Sequence, residues 1–376
     1  MSKSPHLGQF YSRWHRWVLA AWILVGGLLG LRYLCFEGPY RSVIPETRGQ
    51  WIDLHVHTAG IGAGDSGCFV SPSLRDSYKF GIYLKAFGIT RQELELQGDA
   101  LLLDRIEQQV AQSHSIEGAV ILALDGFVDA QGHLDLQRTE VYVPNSFVAR
   151  EVKRHPHLLF GASIHPGRSN ALEQLDWVAK EGAVLVKWIP SIMGIDPADP
   201  RWSPFYQRMK ELGLPLLTHA GQERSFIHSD DDLADPERLR LPLSMGLTVI
   251  AAHVASTGDH DGESDFERLA RLMGEYPNLY SEVSSLTQIN KLGYLRQALI
   301  RPEFAGHLCY GSDFPLINTA LVSPWFFPMN LNHRQMQDIS NIPNPWDRDV
   351  ALKGALGVPR EVFFKTGQLI RGGGRK

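Results

Sequence analysis

Five side chains able to bind a metal or carry a proton stand where short apolar runs end. His55 and His57 close WIDLHVH, His219 closes LPLLTH, His253 closes LTVIAAH and Asp313 closes HLCYGSD. Side chains at i and i+2 of a strand share a face, about 7 Å apart along the chain, so the two imidazoles of His-x-His project together. A lone His-x-His is weak evidence, and a lone strand-terminal histidine weaker still. Four imidazoles and a carboxylate that each end a predicted strand point to a metal site. Such donors suit Zn²⁺ best among common ions, with Mn²⁺ or Fe²⁺ as alternatives.

Positioning these residues takes a particular scaffold. Eight apolar, β-branched runs predict strands at 51–57, 119–125, 158–164, 183–189, 214–219, 247–253, 278–284 and 307–313. Helical patterns lie between them, including 99–114, 170–182, 204–213 and 265–276. Eight such units favour a (β/α)8 TIM barrel, in which every strand's carboxyl end opens on one face, where active sites are built. The long gap after the first strand leaves residues 58–98 as an insertion expected to cover the barrel mouth. Asp53 shares the alternation of His55 and His57 one layer deeper, and reads as a barrel-floor partner supporting the ligands.

The chain resembles the amidohydrolase superfamily of metal-dependent barrels, in the branch called amidohydrolase-related or amidohydrolase family 2. The resemblance rests on IDLHVHTAG (52–60), LFGASIHP (159–166), VLVKWIPS (184–191), LGLPLLTHAG (212–221), VIAAHVAS (249–256) and YGSDFP (310–315), in family order. It implies that His55, His57 and His219 ligate the metal. Asp313 would ligate it or accept a proton from its water, and His253 would act nearby as electrophile or proton shuttle. Three histidines and an aspartate leave a position for water, whose pKa a bound Zn²⁺ lowers to about 7. Lys187 ends the fourth strand, where binuclear members carry a carboxylated lysine; the resembled branch is mostly mononuclear, which implies one ion here and makes Lys187 a contact for a substrate carboxylate or a support for the ligands. His165 either touches substrate or is a hydrogen-bonded rim histidine. Arg224, on the loop after the fifth strand, either clamps an anionic substrate or is solvated.

The rest of the chain narrows the function. Its 376 residues carry 37 Lys and Arg against 41 Asp and Glu, a net charge of −4 that removes the usual case for nucleic acid as a partner. Three scattered cysteines build no disulfide framework. The run from Trp17 to Leu31, extended to Phe36, predicts a transmembrane helix ahead of the barrel. No small-x-small cleavage site follows it, so a single-pass signal-anchor in the bilayer is expected, with the body outside the cytoplasm. The expected organisation is a flank (1–16), anchor (17–36), linker (37–50), barrel (51–370) and tail (371–376). GIGAGDSG (60–67) lacks the phosphate-loop lysine, GDHDGESD (258–265) reads as a solvated helix entry, and SPWFFPMN (323–330) packs on the rim, walls the pocket or dips toward the bilayer. The expected activity is hydrolysis of an ester, lactone or amide in a small molecule. A non-oxidative decarboxylase of the same branch is the alternative, and a non-catalytic membrane-tethered scaffold a third reading.

Overall fold

The computed structural model describes residues 6–35 and 51–371. Eight parallel strands form one sheet: β1 (Trp51–His57), β2 (Ile116–Leu122), β3 (Leu158–Ala162), β4 (Leu185–Trp188), β5 (Leu216–Thr218), β6 (Val249–Ala251), β7 (Leu279–Glu282) and β8 (Leu308–Cys309). They lie side by side in chain order. The two edges are brought together past the end of β8: His57 N–H donates to the Phe314 carbonyl at 2.9 Å, and Val56 bridges Phe314 in parallel. This is a TIM-barrel-like α/β fold. Every predicted strand forms, although β2 begins at Ile116 rather than Ala119.

The core has two layers. Ile52, Leu54, Val120, Leu122, Leu185, Leu217 and Ile250 fill the inside of the sheet, and Ile370 from the last helix (Arg360–Arg371) packs with them. A larger cluster lies between the strands and the surrounding helices. Alternation assigns each strand residue to one layer, and β1 breaks that rule once. Asp53 pairs with Ala119 and Val56 with Ile121, so β1 carries one extra residue between these pairs, a β-bulge. Without it His55 would share the outward parity of Asp53. With it, His55 and His57 turn inward above Leu54.

Asp53 therefore does not share the histidines' face, as the alternation predicted. Its fully buried carboxylate accepts from Trp346 Nε1 at 2.6 Å, from the outer layer, and from the backbone N–H groups of His55 (3.0 Å) and Ser312 (2.9 Å). It pins the bulge to the loop that carries Asp313.

Over the carboxyl ends of the strands, residues 58–98 build the expected cover: α2 (Pro72–Arg75), α3 (Tyr78–Phe87) and α4 (Arg91–Gln97), followed by α5 (Ala100–Ala111). Asp99 organises the glycine-rich loop beneath them, accepting from the N–H groups of Ile61 (3.0 Å) and Gly62 (2.9 Å). At the other end of the chain order, α1 (His6–Cys35) spans the apolar run. Its segment Trp14–Arg32 is long and apolar enough to cross a membrane, and none of it is buried in the protein. Arg32 Nε donates to the Pro328 carbonyl at 2.8 Å, so the helix end meets the segment 323–330. In that segment Phe327 is buried in a small cluster, while Trp325 and Met329 are exposed. Within the predicted flank, linker and tail, residues 1–5, 37–50 and 372–376 lie outside the described residues, as do Phe36 and the Cys35 side chain.

Candidate metal centre

His55, His57 and Asp313 bring one donor atom each to within 4.8 Å of one another. The two Nε2 atoms are 2.9 Å apart, and Asp313 Oδ1 lies 3.3 Å from His57 Nε2 and 3.6 Å from His55 Nε2. His253 stacks on His55 with ring centroids 5.2 Å apart, and His219 meets His253 edge-on at 5.3 Å. The structure thus gathers all five predicted residues around one mouth, with His219 completing the ring opposite the tight trio.

Glu282, the last residue of β7 but not the end of the predicted run 278–284, sets the orientation of two of these rings, and the strand-end reasoning missed it. His55 Nδ1 is 2.5 Å from Glu282 Oε1, the Ser284 hydroxyl donates to the same oxygen at 2.5 Å, and His253 Nδ1 lies 2.7 Å from Ser284 Oγ. Ser284 has one proton and gives it to Glu282, so its oxygen accepts from His253 Nδ1–H. Glu282 in turn accepts from His55 Nδ1–H. The network assigns a lone pair to Nε2 of both rings, turned toward the centre. A signal for Glu282 stood in the sequence: a carboxylate inside an otherwise apolar strand must be buried with a partner.

Asp313 is held from the other side. The Ser285 hydroxyl donates to its Oδ2, and Gln288 Nε2 donates to Ser285 Oγ at 2.7 Å, which leaves Oδ1 for the histidines. Its backbone is left-handed, φ 64°. Three successive residues at the end of β6 are left-handed as well: His253 (57°), Val254 (50°) and Ala255 (48°). For a β-branched valine this costs of order 1–3 kcal/mol, and such strain persists where the surroundings fix it. Here the Ser281 hydroxyl accepts from Val254 N–H at 3.2 Å, and all three residues are buried.

Burial, aided by the nearby charges of Lys187 and Lys291, pushes the imidazoles of His55 and His253 well below their ordinary range; burial also lowers His219. Burial pushes Glu282 up to about 7 and Lys187 down to about 8. For Asp313 burial works upward, yet the hydrogen bond from His57 and the charge of Lys291 help to outweigh it and hold the carboxyl well below the usual carboxylate range. The neutral imidazoles of His55 and His253, with inward lone pairs, stand beside an ionised carboxylate, and among the described residues no lysine or arginine hydrogen-bonds to this set. His219 Nε2 adds a buried nitrogen without a hydrogen-bond partner. The residues fit a divalent metal on these grounds.

Above the centre lies a cavity of about 170 Å³, room for roughly six waters. Lys187 reaches it from β4, and Lys291, unforeseen from the sequence, from the turn after β7. Both are buried, and neither ammonium makes a hydrogen bond or ion pair among the described residues. Arg224 lines the mouth, where it is exposed and bonded to Gln222 Oε1 at 2.6 and 3.0 Å. His165 is not brought to the cavity. Its ring accepts from Gly167 N–H at 2.9 Å, meets Trp202 edge-on, and is bonded to the Met193 backbone. It is the hydrogen-bonded histidine of the two readings open from sequence. The cap is fastened across the mouth by Lys79, which donates to the carbonyls of Arg224 (3.0 Å), Ser225 (3.3 Å) and Phe226 (3.0 Å).

A second group of possible ligands, Asp235, His260 and Asp265, sits at the acidic loop. Ser264 caps the helix Asp265–Glu275 there, as a helix entry requires, but Asp265 is fully buried rather than solvated. Arg268 occupies this group, donating to Asp235 Oδ2 and Asp261 Oδ2 at 3.1 Å each.

With this geometry, the chain belongs to the amidohydrolase family, whose model matches residues 108–331. The match spans His219, His253, Glu282 and Asp313, and starts after His55 and His57. Family members are metal-dependent enzymes acting on small molecules, hydrolases and decarboxylases among them, and this chain is such an enzyme. No curated protein matches the sequence. Among solved structures, an uncharacterised TIM-barrel protein of Bordetella bronchiseptica is similar with a TM-score of 0.54 and 16% identity, over 87% of this chain and 100% of that one. A Pseudomonas putida protein described as a 2-pyrone-4,6-dicarboxylic acid hydrolase has a TM-score of 0.48 and 17% identity, over 87% and 99%. The 5-carboxyvanillate decarboxylase LigW of Sphingomonas paucimobilis has a TM-score of 0.43 and 13% identity, over 86% and 99%.

Proposed function

We propose that this enzyme is a membrane-tethered hydrolase that adds water to the ester, lactone or amide carbonyl of a small molecule. The observation that carries the reading is the meeting of His55 Nε2, His57 Nε2 and Asp313 Oδ1 at the inner end of a capped cavity. A divalent cation, with zinc favoured by the imidazole-rich donors, supplies charge for carbonyl polarisation and water activation when bound. His55, His57 and Asp313 would hold it, with His219 Nε2 as the further nitrogen. The Asp313 carboxylate, ionised at neutral pH, takes the proton of the attacking water and returns it to the leaving group. His253 presents a lone pair rather than an N–H, which favours the shuttle role over the electrophile. Lys187 and Lys291 face the negative charge that develops on the carbonyl oxygen, and the cap keeps bulk water out.

The same two unpartnered ammoniums favour a second reading, because they could hold the carboxylate that a decarboxylase expels. Metal-reconstituted protein assayed on esters, lactones and aryl carboxylates separates the two. Acid released without carbon dioxide is expected, and gas evolution would establish the lyase. Asp313→Asn is expected to lower turnover about 10²- to 10⁴-fold; unimpaired turnover would remove its proton role.

The exposed apolar α1, with Trp14 and Trp17 at one end, supports a single-pass anchor, and the basic residues Lys3, Arg13 and Arg16 ahead of the span favour a body outside the cytoplasm. Full-length protein should then stay with membranes through an alkaline carbonate wash; release into the supernatant would contradict the tether.

A further inference from the structure

The insertion after β1 does more than close the mouth. From the metal centre outward the cavity changes character: its floor carries the histidines, Asp313 and the two lysines, the side formed by the cap is hydrocarbon, and the loop after β5 brings Gln222, Glu223, Arg224 and Ser225 to the remaining side. Each capping helix supplies part of that wall, with Leu74 from α2, Phe80, Leu84 and Phe87 from α3, Leu94 from α4 and Leu102 from α5. The one polar side chain that these four helices turn into the cavity is Tyr83, and its hydroxyl is already spent on the Ser225 carbonyl at 3.2 Å. A hydrogen-bond acceptor seated against the cap would lose its water and gain no partner there, at a cost of about 1–3 kcal/mol. A hydrocarbon arm loses nothing and leaves the sheath of the cavity dry.

The geometry points to an amphiphilic substrate: a carbonyl head at the metal centre, beside Lys187 and Lys291, with a medium-length acyl chain lying against the cap. This assignment rests on the hydrolase reading for the role of the head, and on the wall alone for the chain. An acyl chain suits the wall better than a substituted aromatic acid, whose hydroxyl or second carboxyl groups would meet Leu74, Leu84 and Leu94 unpaired. It also suits an enzyme whose apolar α1 lies exposed and whose helix end touches the barrel rim at Pro328. Compounds of this class partition into the bilayer surface, where such a tether would hold the mouth.

Calorimetric titration of the metal-loaded full-length protein with butyrate, hexanoate, octanoate and decanoate tests the chain. Affinity is expected to rise about fourfold per added methylene until the wall is filled. The heat-capacity change should grow more negative along the series. Leu84→Trp, which fills the wall, should weaken decanoate at least tenfold more than butyrate. A flat series, or equal weakening of all four acids in the variant, overturns the assignment. Ethyl esters of the same acids, assayed alongside, keep the two claims apart. Chain-length-dependent binding without hydrolysis supports the acyl pocket and removes the hydrolase reading; hydrolysis with a flat binding series does the reverse.

Discussion

Two clusters of histidine and carboxylate stand at the loops of this fold, and they use the same residue types to opposite ends. At the mouth, His55, His57, His253 and Asp313 face one another with lone pairs and a charge, and no basic side chain enters the trio. At the acidic loop, His260 lies 2.6 Å from Asp265, while Arg268 donates to Asp235 and Asp261 from within the group. The second cluster carries its own cation, bonded to Asp235, although Asp265 Oδ2 stays buried without a hydrogen-bond partner. The first is complete only when a cation is added. Proximity of ligand-type residues is common to both; what separates them is whether a cationic side chain of the protein hydrogen-bonds into the group, as Arg268 does at the acidic loop and Lys187 and Lys291 do not at the mouth. Their imidazoles differ accordingly. Burial drives His55 and His253 to the neutral form; burial works the same way on His260, but its hydrogen bond to Asp265 and the charges of Asp265 and Asp235 outweigh it and raise its pKa.

The comparison breaks most readily at Glu282. Glu282→Gln keeps the shape of the side chain but weakens the acceptor that fixes His55 Nδ1 and, through Ser284, His253 Nδ1. Metal affinity is expected to fall about 10- to 100-fold, with the melting temperature little changed in excess metal. Competition with a chromogenic chelator measures it, and an affinity equal to wild type would remove Glu282 as the orienting group.

At the other cluster the effect falls on stability. Arg268→Met leaves Asp235 and the buried Asp265 short of a cation, and is expected to cost about 1–3 kcal/mol of unfolding free energy by denaturant titration. Turnover and metal content should hold. A loss of activity at unchanged metal content would mean that the two clusters are coupled.

The smallest expected effect is a pH dependence. A histidine with a raised folded pKa stabilises below its unfolded value of about 6.5, and that contribution disappears as pH rises through the folded value. Asp265, Asp235, Asp232 and Arg268 all face His260. The stability difference between wild type and His260→Gln should therefore be largest near pH 6 and shrink toward pH 9. A difference that grows with pH would assign His260 the neutral form.

How far the sequence discloses this arrangement depends on the range of the physics involved. Strand existence is local: eight apolar runs bounded by loops were readable, and each of the five chemical residues stands at the end of one. The bulge in β1 is not local. It depends on β2 holding Ala119 and Ile121 in register while Asp53 is pulled outward to Trp346, nearly three hundred positions away in the chain, so simple alternation placed Asp53 on the wrong face. Glu282 was legible in principle, as a charge within a buried strand, but its partner His55 was not. Lys291 carried no signal at all, since an isolated lysine on a turn reads as solvated until the fold closes over it. The cap was foreseen as an insertion of the right length, whereas its apolar inner wall appears only when α2 to α5 are assembled over the mouth.

The central claim, that the cluster lacking its own cation is the metal centre, is tested most directly by elemental analysis of purified full-length protein and two variants. One divalent ion per chain is expected in the wild type and in His260→Ala, and its loss in His55→Ala/His57→Ala. Two ions per chain would revive a carboxylated Lys187. Metal that vanishes with His260 and survives removal of His55 and His57 would contradict the assignment.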